Sequence, residues 1–547
     1  MRRSLVVLLL LVAGCESTAP PAAQEPPAKL AFAQQGRGAT VPFVEYEAES
    51  ADFTGKRIGP DRTAKTLAGE ASGRMAVTLS KGDSLTFTLV QPANAVTVRY
   101  SVPDGTEGVL KVNDTELKLT AKYAWYYGGF PFSNDPSKGS PHHFYDHVRG
   151  LLGQTVAAGG KVTLSCECTI DLADFEMAPA ALEKPEGSTS IVDFGADPTG
   201  AKDSSDAIQQ ALSTGDAWIP AGTFKVTRHL IANRTKLRGA GGWHSTLTGA
   251  GVGVYGDHSQ GVHLSGFAII GEVTERDDHA QVNGIGGALG GGSVVENLFI
   301  QHTKVGLWLD GPFSGLTVRN NRIFDTTADG LNLHQGISET VVEHNVIRNT
   351  GDDGLAMWSD QNANHHNTFR FNTVQLPLLA NGIGIYGGHD NTVEANIIAD
   401  ILIEGAGVQV ANRFSGTVPL SATTVLKDNT VLRGGSKFAG IQADVGAFFL
   451  FGKDSAITGA ITLSGNSTMD SSFSGLHLYG SSMSQVTVER LTVQAPGTVG
   501  IQVQSMGAAT VTKSRVEGGV YLCKDALPFT LTVADSTGLD TPACEGI

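Results

Sequence analysis

The 547-residue chain is 41% apolar and 17% charged, which excludes an intrinsically disordered protein and leaves length for two or three domains with cores of their own. Its 54 acidic residues against 39 basic ones give a formal net charge of −15, so the footprint of a nucleic-acid or polyanion binder is missing and neutral or cationic partners are expected. The 68 glycines follow no three-residue period, which excludes a collagen and points to many turns.

At the N-terminus Arg2 and Arg3 precede an apolar run, Leu5 to Val12, that is too short to span a bilayer and has the pattern of an export signal. The run ends in "LVAGC", which resembles the bacterial lipobox. That resemblance makes residues 1–15 a lipoprotein signal and Cys15 the lipidated residue; the alternative is an ordinary secretory signal with an incidental cysteine. Glu16 stands where an aspartate often signals inner-membrane retention, so the outer membrane or cell surface is the expected location. Residues 16–42, containing "APPAAQEPPAK", read as a flexible linker. The four remaining cysteines fit an oxidising compartment, with Cys523 and Cys544 as expected disulfide partners. Cys166 and Cys168 lie near the upper limit of separation for a bridge, and both a disulfide and two free thiols stay open.

Residues 43–178 alternate apolar and polar in short runs such as "MAVTL", "SLTFTL" and "AVTVRYSV", with turn residues between them, predicting an antiparallel β-sandwich. "EYEAES", "GDSLTFTLVQPANAVTVRYSVPDG" and "TIDLADFE" resemble carbohydrate-binding module families 6, 35 and 36. The resemblance implies a structural calcium held by Glu47, Glu49 and Asp174; simple solvation of those carboxylates is the alternative. In "KYAWYYGGFPF", Trp125, Tyr126 and Tyr127 form either a stacking platform for sugar rings or a local mini-core. "SPHHFYDH", with His142, His143 and His147, has no metal-motif spacing and reads as a polar loop.

A second linker, residues 179–190, leads to residues 191–547. Their opening segment, "IVDFGADPTGAKDSSDAIQQAL", resembles the first coil of the right-handed parallel β-helix of pectin-degrading enzymes, with a capping helix around Ser204 to Leu212. The body repeats. "GGSVVENLFIQHTKVGLWLD", "GLTVRNNRIFDTTADGLNLH" and "ETVVEHNVIRNTGDDGLAMW" align with Gly306, Gly330 and Gly354 spaced 24 residues apart, a period fitting one β-helix turn. Asn297, Asn321, Asn345, Asn372 and Asn396 are expected to stack as an amide ladder inside one corner.

Neighbouring turns pair about 4.8 Å apart, so Asp329 is expected beneath Asp353 and beside Asp352. Three carboxyl groups so close cannot all ionise normally, and a proton shared among them makes a general acid next to a base, the pair that glycoside hydrolysis needs. Asp-Gly turns and stacked polar ladders offer a structural alternative, but ionised carboxylates repel where amides attract. Leu307/Leu309, Leu331/Leu333, Leu355/Met357 and Ile383/Ile385 should point inward, which leaves Asp310, His334, Trp358 and Tyr386 in one outward column suited to sugar subsites.

"TADGLNLH", "NTGDDGLAMWS", "LANGIGIYGGHDNTV" and "GGALGGGSVVENL" resemble the core of glycoside hydrolase family 87, the α-1,3-glucanases and mycodextranases. The resemblance implies an all-β enzyme, a β-sandwich followed by a parallel β-helix, that cleaves neutral α-glucan with inversion. It makes Asp329, Asp352 and Asp353 the catalytic set. By analogy with the polygalacturonases, Asp352 is the general acid, while Asp329 and Asp353 activate water. Arg276, Asp277 and Asp278 in "ERDDHAQVNGIGG" either close one end of the cleft or form a solvated loop. A monomer without a catalytic cofactor is expected, with structural calcium as the only metal. A polygalacturonase or pectate-lyase-like enzyme, with Arg348, Arg370 and Arg413 as nearby cations, and a non-catalytic glycan-binding surface protein are the competing readings.

Overall fold

The computed structural model describes residues 36–126, 142–522, 527–539 and 542–543. Cys15, Tyr127, Cys523 and Cys544 lie outside the described residues, as do the side chains of Trp125 and Tyr126. The expected sandwich forms from two antiparallel sheets. One contains Asp146–Val156, Ala93–Ser101, Cys168–Glu176, Ala76–Leu79 and Lys56–Ile58, with Phe43–Glu47 also paired to Cys168–Glu176. The other contains Asp52–Phe53, Leu85–Thr88, Lys161–Ser165, Glu107–Val112 and Thr115–Thr120. Alternation places Val77, Phe87, Val98, Leu110, Val162 and Phe175 between the sheets. A disulfide joins Cys166 and Cys168, whose Cα atoms are 5.4 Å apart.

The strand Cys168–Glu176 is buried along its entire length, whereas a free sandwich would leave alternate residues in water. Its second face packs on the solenoid, and its acids find cations there. Arg348 Nη1 lies 2.8 Å from Asp174 and its Nη2 2.7 Å from Glu45, while Arg322 Nη1 lies 2.6 Å from Glu176. This sets Asp174 apart from the other two residues of the expected calcium set. Glu47 pairs with Leu172 across the sheet, Asp174 stands opposite Glu45, and the carboxylate needed for the ion is held by Arg348. Glu47 Oε1 accepts instead from Ser72 Oγ at 2.8 Å.

The expected polar loop is likewise part of this seam. His143 and His147 are buried, with His147 Nδ1 2.8 Å from Asp325, and His302 of the solenoid lies 2.7 Å from Asp146. Neither linker is a free tether throughout its described length. Arg37 donates to Thr430 and Ser467, the Gly38 amide donates to the Ala395 carbonyl, and the Leu182 amide donates to the Ala240 carbonyl.

Beyond residue 190 the chain winds as a parallel solenoid, with one 13-stranded sheet along one face and a 25-stranded sheet merging the other two. The capping helix Ser205–Leu212 closes the first coil through Ile208, Ala211 and Leu212. The inward leucines and isoleucines are fully buried, each contributing about 1.5–3 kcal/mol of burial. The amide ladder runs from Asn321 through Asn345, Asn372, Asn396, Asn429 and Asn466, each Nδ2 donating to the next Oδ1 at 2.9–3.0 Å. Asn297 is not in it. Val294 pairs with Thr317, so this stretch advances 23 residues where the next strands advance 24, and Leu298 takes the position beneath Asn321.

Candidate active site

The strands Leu331–His334 and Leu355–Trp358 pair in register, Leu331 with Leu355, and the Gly330 amide donates to the Asp353 carbonyl at 2.9 Å. Asp329 therefore stacks on Asp353 as the repeat predicts. Asp352 enters from the same turn, and one carboxylate oxygen from each of the three lies within 4.8 Å of the others.

Their surroundings differ. Asp329 is buried, and Asn332 Nδ2 donates to its Oδ2 at 2.9 Å. Burial, then the charges of Asp352 and Asp353, push its carboxyl well above the usual carboxylate range. Asp353 Oδ1 accepts from the Asn381 amide and from Asn381 Nδ2, both at 2.8 Å, and its Oδ2 accepts from Tyr386 Oη at 2.6 Å. Burial and Asp352 push Asp353 up to about 7 even against these donors. Asp352 is the most accessible of the trio, with Arg276 Nη1 2.7 Å from its Oδ2. A cluster so arranged holds a proton near neutrality next to an ionisable base, which is acid–base chemistry at one point.

The outward column forms as expected. Asp310 pairs with His334, His334 with Trp358, and Trp358 with Tyr386 across successive turns. Asp310 Oδ1 lies 2.7 Å from His334 Nδ1 and accepts from Trp308 Nε1 at 3.0 Å. Trp358 stays partly exposed, its ring centroid 4.8 Å from that of His334 and its Nε1 donating to Thr417. Tyr386 departs from the expectation. Only 4% exposed, its ring packs on Phe414 in an apolar cluster that includes Phe438, so it serves as a hydrogen-bond partner of Asp353 rather than as a sugar platform. Arg276 Nε donates to Asp278 at 2.7 Å, and the loop does reach the acids. Asp277 does not: its Oδ1 accepts from the His279 amide within its own turn.

Sequence reasoning missed Asn332, Asn381 and Glu404, and named Arg413 only as a cation for the competing uronate reading. Glu404 is pushed up by burial, and the Arg413 guanidinium sits 4.4 Å from the Phe414 ring centre and 4.5 Å from that of Phe438, at the margin of the same cleft. Asn381 had a signal: the 24-residue step from Asp329 to Asp353 continues, by way of a small insertion, to Asn381, whose carbonyl accepts from the Gly354 amide.

The family model for the α-1,3-glucanase catalytic domain D1 matches residues 40–177, and that for the α-1,3-glucanase catalytic domain D2 matches residues 201–516. The catalytic unit of a thermostable α-1,3-glucanase from Streptomyces thermodiastaticus superposes with a TM-score of 0.87 at 40% identity, over 92% of this chain and 98% of that one. The chain belongs to glycoside hydrolase family 87. As a family 87 member it is a glycoside hydrolase, and the D1 match falls on the sandwich that is docked against the solenoid. Two further family-like folds are the Agl-KA catalytic domain (TM-score 0.83, 23% identity, 91% of this chain, 98% of that one) and an α-1,3-glucanase catalytic domain in complex with nigerose (TM-score 0.82, 24% identity, 92% and 100%). No curated protein matches the sequence.

Proposed function

We propose that this family 87 enzyme cleaves α-1,3-glucosidic bonds of an α-glucan with inversion of configuration, using Asp352 as general acid and Asp353 with Asp329 to hold and activate water. The observation that carries the reading is the gathering of three carboxyls within 4.8 Å, two of them with raised proton affinity, beside a partly exposed tryptophan. Solved family 87 relatives are described in complex with nigerose and with tetrasaccharides, in forms where single aspartates are replaced by alanine. The three replaced aspartates have the same relative spacing as Asp329, Asp352 and Asp353, which supports the same trio here.

In the free enzyme the proton lies in the buried part of the cluster and the Arg276 guanidinium rests on Asp352. Substrate entering the cleft displaces the guanidinium and desolvates the trio. The proton is then placed on Asp352, which faces the glycosidic oxygen, while Asp353 takes a proton from water. Carboxyl groups this close ordinarily indicate a retaining enzyme. Two neighbouring bases sharing one water relax that rule, because the water is held at their edge rather than between acid and base.

Release of sugar from α-1,3-glucan, nigeran, starch and polygalacturonate, with Asp352→Asn as control, tests the reading. Hydrolysis of the α-1,3-linked polymers alone, lost in the variant, supports it. Preference for polygalacturonate, or full activity in Asp352→Asn, overturns it. NMR of the first-formed anomer tests inversion. Export with lipidation at Cys15 belongs to the same proposal, and loss of radiolabelled palmitate incorporation in Cys15→Ser is the expected result.

A further inference from the structure

We infer that His366, His389 and Asp390 form a surface site for a divalent transition-metal ion of the zinc class, one that clips two successive turns of the solenoid together. The site is separate from the catalytic trio. The acids lie in the turns before Leu331–His334 and Leu355–Trp358, whereas these residues lie in the turns before Thr368–Arg370 and Thr392–Glu394.

The solenoid's register builds the cluster. His365 and His389 face each other in a parallel bridge, their rings stacked at 4.9 Å with 2° between planes, and the His366 amide donates to the His389 carbonyl. His366 and Asp390 both adopt left-handed backbone conformations, φ 55° and 53°, at equivalent turn positions. One ring nitrogen of His366, one of His389 and one oxygen of Asp390 lie within 4.8 Å of one another, and His389 Nδ1 is 2.9 Å from Asp390 Oδ2. His365 Nδ1 lies 2.9 Å from His366 Nδ1, placing a further imidazole where it either orients His366 or completes the coordination.

Two imidazoles and a carboxylate are a zinc-type ligand set, and imidazole nitrogen selects zinc, copper or nickel over calcium and magnesium. Ligand atoms at about 2.0–2.2 Å from an ion lie roughly 3.3 Å apart, so closing the cluster takes side-chain adjustments of about 1–1.5 Å. The site is reachable from solvent: the His389 and Asp390 side chains are 32% and 36% exposed, and His366 is exposed. The chain's excess of acidic residues favours approach of a cation.

The test is calorimetric titration of the tag-free, EDTA-dialysed full chain with ZnCl2. Binding of one equivalent is expected, weakened at least 100-fold in His366→Gln/His389→Gln with glucan hydrolysis retained, and no heat is expected from CaCl2. Because other acidic and histidine groups are present, the same question is put to the wild-type chain by diethylpyrocarbonate modification. Zn2+ should protect His366 and His389, read by peptide mass spectrometry. Absence of stoichiometric zinc binding, equal affinity in the double variant, or modification of both histidines at the same rate with and without Zn2+ would overturn the inference.

Discussion

Replacing Tyr386 by phenylalanine isolates the electrostatic role of one hydroxyl. Tyr386 Oη donates to Asp353 at 2.6 Å from a buried position, and its ring packs on Phe414 within an apolar cluster that includes Ala356, Ala411, Phe438 and Phe449, so Tyr386→Phe keeps the packing and removes the hydrogen bond. A hydrogen bond to an ionised group contributes about 1.5–3 kcal/mol. At 1.36 kcal/mol per pH unit this raises the ionisation of Asp353 by about 1–2 pH units, from a starting point near 7. A base must be ionised to act, so the acidic limb of kcat/KM moves upward. On that limb the rate falls by about 10–100-fold, while at higher pH much of the loss is recovered. The assay is kcat/KM against pH on nigero-oligosaccharides, with the thermal midpoint as a folding control. An acidic limb at the wild-type position, or an equal loss at every pH, would refute the reasoning.

Stability and pH should be linked through the same group. Asp353 binds its proton more tightly folded than unfolded, so its contribution is complete below about pH 4 and is lost as pH rises through about 7, by at most about 4 kcal/mol. Asp353→Asn does not titrate, so its thermal midpoint should gain on the wild type between pH 5 and pH 8; a gap constant with pH contradicts the linkage. Asp329→Asn should retain at least about 10-fold more activity than Asp353→Asn, since an amide at 329 still holds the water by a hydrogen bond whereas Asp353 is the group that takes its proton; equal loss in the two argues against it. Trp358→Ala should raise KM for a tetrasaccharide about 10-fold with kcat changed only a few-fold, as loss of a stacking face predicts; a fall in kcat alone would assign Trp358 another role. Arg348→Ala strands Asp174 and Glu45 in the seam and should cost about 3–5 kcal/mol in urea denaturation; an unchanged midpoint would show that the seam adds nothing to stability.

Much of the solenoid was legible because its pairing is local in a repeat: one turn's length converts directly into which residue lies above which. That logic placed Asp329 under Asp353 and aligned Asp310, His334, Trp358 and Tyr386. It slipped at Asn297, where one residue fewer in the preceding stretch moved the ladder to Leu298. The sandwich seam was not legible, because contacts such as Arg348 with Asp174 join residues 174 positions apart with no period connecting them. The unbroken burial of "CTIDLADFE" had a trace in its sequence, since acids at Asp171, Asp174 and Glu176 interrupt the apolar run of a central strand. Tyr386 was misjudged for a related reason. Its register gives the face it occupies, but its ring packs on Phe414 in a cluster with Phe438, in segments that lie outside the repeat.

The columns of the solenoid also explain why two stacked aspartates need not behave alike. Asparagines can stack indefinitely, because each amide donates upward and accepts from below, and the ladder from Asn321 to Asn466 does so. Ionised carboxylates have no donor, so a column of them must be interrupted. Here the column reads Val305, Asp329, Asp353, Asn381. Asp329 rests on a buried valine and is pushed well above the usual range, whereas Asp353, pushed up to about 7, lies beneath Asn381, whose backbone amide and Nδ2 both donate to it. The apolar neighbour on one side and the asparagine donors on the other thus give the two stacked carboxyls different surroundings. Asp352, set to the side and more open, is the member to which the proposed mechanism gives the glycosidic oxygen.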